Sequence, residues 1–456
     1  MRGSEPWGVL FLTGLIFCNP AAAEEGSKGF FAQLGKSASY TVEGYTSYFP
    51  QDHHSTPARI VDDRSALFWT RAMAKSQVFL RESLVFKAAT FATYSTQGDE
   101  LRGVFSLPDQ EAPNAHFVEL KEFSLRYDQQ RFAVTVGRAP IPVGLSTLYS
   151  PADRYRVISG ANPTKPEDLG AWQASMDLFM GDNTLRLSVL PFEERSSAPY
   201  GHSRWVGSAD SSGFAQSSTT TSGMAGGATG LTVPEGGSAR VVSRNRPGFL
   251  AKYSGVTTGA DYFVSLHYGP SIYPVLHNPS DSIFLVEVPR ALTGSAGMAK
   301  TIGAWELHSE AAYQETESGE DQSFLKYVVA GTYRETAAAG KMGLDEIAPT
   351  VEYAGDCVTN GQNGDGYVQS SFKARPFTSS LLFKVDFVFS DKVTAVIGGI
   401  RNFIGNDYTH AFGVEYRLND NLTWKAGVVF FGGRSGTPFG RWDRNDYFEI
   451  GMARKF

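Results

Sequence analysis

The chain has 456 residues with a formal net charge of −6, and 42% of its residues are hydrophobic. The acidic balance argues against a nucleic-acid-binding protein, which would carry a basic surface. No segment offers 18 uninterrupted apolar residues, which excludes a helical membrane protein. With 32 Phe, 20 Tyr and 48 Gly, the composition favours aromatic-rich strands that are separated by glycine-containing turns.

The N-terminus has the layout of a secretory signal peptide. An apolar stretch at residues 8–17 follows Arg2 and precedes a run of small residues at 21–23. Its ten or so apolar residues are too few for a spanning helix, which needs about 20. We predict a signal peptide over residues 1–23 with cleavage after Ala23, followed by a short periplasmic segment at 24–37.

Apolar and polar side chains alternate along most of the remaining chain, as in strands with one apolar and one polar face. Tight turns at residues 128–130, 181–183 and 419–421 separate such runs and predict hairpins. We count about 16 strands from Leu84 onward, and runs at 39–49 and 68–79 would make 18. The sequence therefore predicts an all-β fold, a transmembrane antiparallel β-barrel of about 16 to 18 strands over residues 38–456.

Long and short connections alternate, as expected when short turns share one end of a barrel and long loops share the other. If the last strand runs toward the periplasm, the long connections lie outside, notably 139–169, 193–246 and 355–379. Residues 193–246 are rich in Ser, Gly and Thr, which favours a disordered surface loop over a ligand site. We place residues 367–376 in a loop, because a strand there would break the alternation.

Charged residues fall mainly on the strand parity opposite the aromatic one. A charge on the lipid-facing side costs about 2 to 4 kcal/mol near the midplane, so the charged parity is expected to face a wet lumen. We expect most of these side chains to form a paired network along the wall. The charged residues assigned to the lumen are Arg126, Arg131, Arg186, Glu306, Glu310, Lys326, Lys384, Asp386, Glu415, Arg417, Lys425 and Glu449.

Glu306, His308 and Glu310 alternate on one strand and could suggest a metal site. Alternate residues on a strand lie about 6.5 to 7 Å apart, too far apart to bind one zinc ion without ligands from neighbouring strands. The eight His are scattered, and no G-x-S-x-G segment supplies a nucleophile. We therefore expect no enzyme activity, no catalytic residue, no metal and no cofactor.

The chain ends on an alternating strand, YFEIGMARKF, at residues 447–456. In a soluble domain such a strand would leave an exposed edge, whereas in a closed barrel it pairs with the first strand. The ending resembles the C-terminal signature of bacterial outer-membrane barrels, and the resemblance implies that the barrel assembly machinery reads Phe456. The alternation assigns Phe448, Ile450, Met452 and Phe456 to lipid and Glu449 and Lys455 to the lumen.

A second motif, GRAPIPVGLSTLYSPADRY at residues 137–155, breaks the strand with two prolines and opens a long loop. It resembles porin-like outer-membrane families of proteobacteria, including phosphate-selective and alginate-export-like porins. In general porins a long loop folds back and narrows the lumen, so the resemblance makes Arg138, Asp153, Arg154 and Arg156 candidates for a pore constriction. An outward loop with a turn motif at the rim is the alternative.

The resemblance implies an outer-membrane porin-like channel for passive passage of small hydrophilic solutes or ions. The alternative is a structural, adhesive or export-complex outer-membrane barrel with a plugged lumen, which the long loop at 193–246 favours. Expected partners are outer-membrane lipid and lipopolysaccharide, the barrel assembly machinery and the solutes themselves. Nucleic acid is not expected, and a homo-oligomer is compatible with this interpretation.

Overall fold

The computed structural model describes most of the chain after residue 29. The described residues are 30–51, 62–96, 101, 103–104, 116–153, 155, 157–159, 164–192, 194, 203–206, 214–221, 227–234, 238–242, 247–271, 275–280, 283–287, 289–316, 322–360, 367–368, 377–434 and 437–456. The predicted signal peptide at 1–23 lies outside the described residues.

Eighteen antiparallel strands form one sheet that closes on itself. In chain order they are β1 (Ser39–Tyr48), β2 (Ala66–Arg81), β3 (Leu84–Ser95), β4 (Val118–Asp128), β5 (Phe132–Ala139), β6 (Ala171–Met180), β7 (Asn183–Leu190), β8 (Gly248–Thr257), β9 (Ala260–Pro270), β10 (Arg290–Ile302), β11 (Trp305–Thr316), β12 (Ser323–Tyr333), β13 (Glu346–Asn360), β14 (Ser379–Val388), β15 (Val393–Asn402), β16 (Asp407–Asn419), β17 (Leu422–Gly432) and β18 (Tyr447–Lys455). Each strand pairs with its neighbours in the chain, and β18 pairs with β1. The predicted transmembrane β-barrel of 16 to 18 strands is confirmed.

The connections divide the barrel into two ends. At the short-turn end, most connections contain two to four residues, and the longest, 334–345, holds a short helix. The remaining connections lie at the opposite, long-loop end, where 140–170 and 191–247 are the longest. Within each strand the side chains alternate between the inner and the outer face, so a one-residue slip in register would turn every side chain to the other face.

Two short helices lie at the short-turn end: α1 (Phe30–Lys36) and α2 (Ala337–Lys341). Helix α1 packs on the outer face of β2 and β3, where Ser76 Oγ donates to the Leu34 carbonyl at 2.9 Å. The Phe30 and Phe86 rings lie 5.3 Å apart. Among the described residues, no helix combines the length and the apolarity that a membrane crossing requires.

The outer face carries two belts of aromatic rings. The ring centres of Trp305 and Tyr333 lie 4.7 Å apart near the short-turn end, and those of Tyr327 and Tyr353 lie 6.3 Å apart toward the long-loop end. Between Tyr327 and Tyr333 on β12, the aliphatic Val329 is 60% exposed. An apolar band that is bordered by aromatic girdles is the lipid-facing surface of a membrane barrel.

Val329→Arg should lower the free energy of unfolding by about 2 to 4 kcal/mol, because the charge would enter the apolar band. Equilibrium unfolding in urea, with the protein in lipid vesicles, measures this change. Thr423→Arg is the matched control, because Thr423 lines a wet part of the lumen. Equal unfolding free energies for the two variants would contradict the assignment of the outer face.

Two loop expectations need correction. Strand β13 continues to Asn360, five residues beyond the expected loop start at 355, because Ser323–Asn360 and Phe324–Val358 extend the pairing with β12. The 193–246 loop is not wholly irregular, since Phe214–Thr221 pairs with Gly227–Pro234 and its threonines suit a strand. Tyr367–Val368 pairs with the short loop strand Val275–Ser280 outside the barrel, which agrees with the loop placement of that segment.

Candidate lumen constriction

The inner face of the barrel carries ion pairs between neighbouring strands. Asp177 on β6 is held by Arg186 on β7, with Nε to Oδ1 at 2.6 Å, and by Arg126 on β4 at 3.4 Å. Strand pairing also places the following residues on the inner face: Glu306, Glu310, Lys326, Lys384, Asp386, Glu415, Arg417, Lys425 and Glu449. Arg131 directly precedes β5 and is exposed.

The connection between β5 and β6 comprises residues 140–170, and we call it the inserted segment. Its described residues turn into the barrel. Its first half contacts β11 and β13. Its second half contacts β2, β4 and β18. Strands β2 and β11 are nine positions apart in a ring of 18, as are β4 and β13. The segment therefore crosses the lumen from one wall to the opposite one.

The first wall contact is made by Glu310 on β11. Its Oε1 accepts hydrogen bonds from the backbone N–H groups of Leu145 and Ser146. Its Oε2 accepts the hydroxyl of Ser150 at 2.5 Å. The carboxylate of Glu310 thus holds both ends of a six-residue turn of the inserted segment.

The second contact is made by Glu352 on β13, whose side chain is fully buried. Its Oε1 accepts the N–H groups of Thr147 at 3.1 Å and Leu148 at 2.8 Å, and its Oε2 accepts that of Tyr149 at 2.9 Å. His308 Nε2 lies 3.1 Å from Oε1 and donates to it, since the carboxylate can only accept. Both carboxylate oxygens of Glu352 therefore accept hydrogen bonds from the inserted segment.

These contacts provide acceptors for backbone N–H groups of the inserted segment. Residues 145–149 form neither helix nor strand, so five consecutive N–H groups lack regular partners. A buried N–H group without a partner costs about 1 to 3 kcal/mol. Successive N–H groups form a concavity suited to an anion, and bonds to a carboxylate are stronger than neutral ones. The two glutamates therefore fix the position of the segment in the lumen.

Apolar contacts extend this anchorage. Ile141 and Val143 pack with Leu250 of β8 and Phe263 of β9 in one buried cluster. Lys252 Nζ donates to the Pro142 carbonyl at 3.0 Å. Further along the segment, the Tyr149 ring stacks edge-on with Phe377 at 4.8 Å and has Lys326 Nζ 5.7 Å from its centre.

At the opposite wall the segment is held by charge. Glu167 accepts from Arg71 at 2.7 Å and also pairs with Lys121. Lys165 pairs with Glu449 and lies 3.9 Å from the centre of the Tyr45 ring. The Arg71 side chain is only 5% exposed, so its charge depends on Glu167 and on Glu43 at 3.6 Å.

Gly144→Ala should weaken the anchorage, because a Cβ at this position would collide with Ser150 Oγ and lie 2.9 Å from Glu310 Oε2. Overpacking of this kind costs about 1 to 3 kcal/mol. We expect a fall of that size in the free energy of unfolding in vesicles. Gly294→Ala is the control, since nothing lies within 4 Å of its added Cβ, and equal stabilities would contradict the contact.

The sequence-derived constriction candidates fall in different places. Arg138 shares the strand face of Phe123 and Trp172, is buried, pairs with Glu194 and donates from Nε to the Gly170 carbonyl at 2.9 Å. It thereby joins the end of β5 to the end of the inserted segment. Asp153 lies within the segment, and its N–H donates to Ser150 Oγ at 3.1 Å.

Arg154 and Arg156 lie outside the described residues. The wall contacts on both sides favour the lumen-narrowing alternative over the outward loop. Glu352 was missing from the sequence-derived candidates, and its signal was weak, because it is one acidic residue in the run TVEYAG with nothing nearby to mark it.

The long connection 191–247 also sends residues into the barrel mouth. Arg204 is fully buried, with its guanidinium 3.6 Å from the centre of the Phe49 ring and donating to the Arg64 carbonyl at 3.0 Å. The Trp205 ring packs against Trp442 at 5.9 Å, and Trp442 Nε1 donates to the Trp205 carbonyl at 2.8 Å. The mouth is therefore narrowed on the β1 and β18 side. The Ser- and Gly-rich surroundings hid this short HSRWV stretch from sequence reasoning.

The lumen at the short-turn end is wet and charged. A cavity of 340 Å³ opens there, and its lining residues are Glu415, Arg417, Asp420, Thr423, Lys425, Ala453 and Lys455. The Lys425 and Glu415 side chains are 40% and 44% exposed and lie 3.6 Å apart. We call this region the vestibule.

No group of three or more His, Cys, Asp or Glu side chains within the described part of the chain is arranged to hold a metal ion. His308 and Glu310, which the sequence places beside Glu306 on one face, instead contact Glu352 and the inserted segment. They alternate on β11 because this strand forms part of the lumen wall that holds the inserted segment.

No family model matches the sequence, and no curated protein matches it. The chain is similar to crystal structures of OccK3 (OpdO) of Pseudomonas aeruginosa (11% identity, TM-score 0.46, 93% of this chain and 97% of that one) and OccAB1 of Acinetobacter baumannii (9%, 0.48, 92% and 96%). It is also similar to OpdK of Pseudomonas aeruginosa with vanillate (8%, 0.47, 92% and 98%). The 18-stranded antiparallel barrel of this chain is established by its own strand pairing.

Proposed function

We propose that the chain is a bacterial outer-membrane channel for passive passage of small hydrophilic solutes or ions. The observation that carries the proposal is the inserted segment, which is anchored at opposite walls of the lumen by Glu310, Glu352 and Glu167. A segment held across a charged lumen narrows a passage to a defined size.

The dimensions of the barrel support a passage. Barrels of about 16 to 18 strands leave an aqueous channel, because side chains alone do not fill them. The charged vestibule places exposed Lys425 and Glu415 in water on the inner face. Water in the lumen explains why these charges are tolerated in a membrane-spanning wall.

Selectivity in such a channel follows from size and charge. The inserted segment sets the free cross-section, and ion pairs such as Asp177 with Arg126 and Arg186 line the wall. A solute that enters exchanges part of its hydration for these polar groups, while a large or apolar solute is excluded. This mechanism requires no chemical step, and we propose that the protein is not an enzyme.

The plugged, structural barrel is the second candidate. It is favoured by the buried packing of Arg204 and Trp205 in the mouth. The Trp205 ring contacts the rings of Phe49, Phe431, Trp442 and Tyr447, and the buried cluster that contains Trp205 also includes Tyr149 of the inserted segment. Solute flux separates the two candidates.

Two finer proposals accompany the channel function. The 137–155 motif supports a place near the phosphate-selective or alginate-export-like porins. Phe456, exposed on the outer face, supports recognition of the last strand by the barrel assembly machinery. Its N–H donates to the Tyr40 carbonyl at 2.9 Å, so the terminal residue continues the β1–β18 pairing.

Swelling of proteoliposomes in isotonic solutions of neutral sugars tests the channel proposal. Swelling should be fast for a pentose and should fall as the sugar becomes larger. The same preparation is checked for folded barrel by its heat-modifiable migration on a gel. Folded barrels that cause no swelling with any sugar would contradict the channel and favour the plugged alternative.

A further inference from the structure

The barrel rim at the long-loop end is lowest between β15 and β16, where the connecting loop is shortest. Only residues 403–406 connect these strands, the shortest connection at that end. Phe403 and Ile404 at its tip are 53% and 59% exposed. Apolar side chains on a turn tip are unfavourable in water, so the turn suits the boundary between lipid chains and headgroups.

A cation projects outward directly below this turn. Arg401 lies between Ile400 and Asn402, which face the lumen and are 5% and 8% exposed, so the Arg401 side chain faces lipid. Its guanidinium lies 5.5 Å from the centre of the Tyr408 ring and donates to Asn406 Oδ1. A lipid-facing Arg is costly near the midplane but costs only about 0 to 1 kcal/mol near the interface. Arg401 is the second-last residue of β15, at the long-loop end, where this cost is smallest.

His410 extends the same surface. Its exposed ring lies 5.1 Å from Tyr408 and 6.0 Å from Phe383. Gly399 makes room for it, since a Cβ there would be 2.5 Å from His410 Nδ1, and Gly432 makes room for the Tyr408 ring in the same way. Arg401 and His410 thus both contact the Tyr408 ring on the outer face.

We propose that Arg401, Tyr408 and His410, with Phe403 and Ile404, bind a phosphate group of the anionic glycolipid in the leaflet at the long-loop end. The guanidinium keeps N–H groups beyond the one used on Asn406, and these suit bidentate contact with phosphate oxygens. The Tyr408 hydroxyl and an imidazole N–H add donors. Phe403 and Ile404 offer apolar contact to an acyl chain.

The proposal rests on the outer-membrane placement proposed above and adds a lipid partner with named contacts. Arg454 provides the comparison, because its guanidinium also stacks on an outward aromatic ring, Phe456, at 4.7 Å. Arg454 lies at the short-turn end, so a general attraction of lipid-facing arginines would affect both residues equally. A glycolipid site at the β15–β16 turn would depend on Arg401 alone.

Binding of purified lipopolysaccharide to the full barrel in neutral detergent, followed by native mass spectrometry, tests the proposal. Arg401→Gln should weaken binding by about tenfold, the loss expected for one bidentate charge-assisted contact. Arg401→Lys should keep part of the affinity, and Arg454→Gln should keep all of it. Gel migration before and after heating verifies that every variant is folded.

Three outcomes would overturn the proposal: equal binding by Arg401→Gln, an equal loss in Arg454→Gln, or undiminished binding of lipopolysaccharide stripped of its phosphates. Inorganic phosphate at millimolar concentration should not displace the lipid, because the apolar contacts add to its affinity, and displacement would identify a free-phosphate site instead. The assay requires no flux, so its failure and failure of the swelling test are distinguishable.

Discussion

Exchange of Glu310 and Glu352 together for Gln should raise the single-channel conductance by about twofold or more, because an 18-stranded barrel without a fixed segment has a wide aqueous lumen. The two carboxylates accept five backbone N–H groups and one hydroxyl from the inserted segment. A hydrogen bond to a charged group contributes about 1.5 to 3 kcal/mol. Glutamine keeps the volume but removes the negative charge, and at position 352 its amide NH2 group would face a backbone N–H group in either orientation.

The released segment should also move, so the current should become noisier. Recordings in planar bilayers at high salt measure both properties. Glu306→Gln is the matched control, because Glu306 is on the same face of β11, toward the short-turn end. Wild-type conductance and noise in the double variant would show that the carboxylates do not hold the segment.

Glu167→Gln should shift ion selectivity toward anions. Glu167 is the shared partner of Arg71 and Lys121, so its loss exposes positive charge to the lumen. A unit charge 8 Å away in water interacts by about 0.5 kcal/mol, which changes the local concentration of an ion about twofold. The local concentration of anions rises and that of cations falls by this factor, so the ratio of anion to cation permeability should rise about fourfold.

The reversal potential in a salt gradient measures that ratio. The shift should shrink in high salt, since screening shortens the reach of a charge to about 3 Å at 1 M. Glu335→Gln controls for the loss of a negative charge elsewhere, because Glu335 accepts the Ala338 N–H outside the barrel wall. An unchanged reversal potential in Glu167→Gln would place its contacts away from the ion path.

The fold was predictable because membrane strands follow a simple physical rule. Lipid on one side and water on the other impose a two-residue period, as in β18, where Ile450 is 63% exposed on the outside and Glu449 bonds to Ser47 inside. Hairpin turns such as 128–130 then fix register. The same rule placed Glu310 and Lys326 on the inner face, although it did not indicate their partners.

The constriction was only partly predictable, because its contacts join residues far apart in the chain. The prolines and glycine of the 137–155 motif mark where the strand breaks, yet Glu352 is 203 to 205 residues away from the N–H groups that it accepts. No local pattern records such a pairing. The contribution of Trp205 was hidden for the same reason, since its partner Trp442 is 237 residues away in the chain.

Single-channel recording of a barrel in which residues 143–152 are replaced by a short Gly-Ser linker tests directly whether the inserted segment narrows the lumen. Folded wild-type protein should give small, stable conductance steps, and the shortened variant should give steps several times larger, as expected for an unobstructed lumen. Equal steps, or no steps from either folded protein, would contradict a channel that is narrowed by the inserted segment.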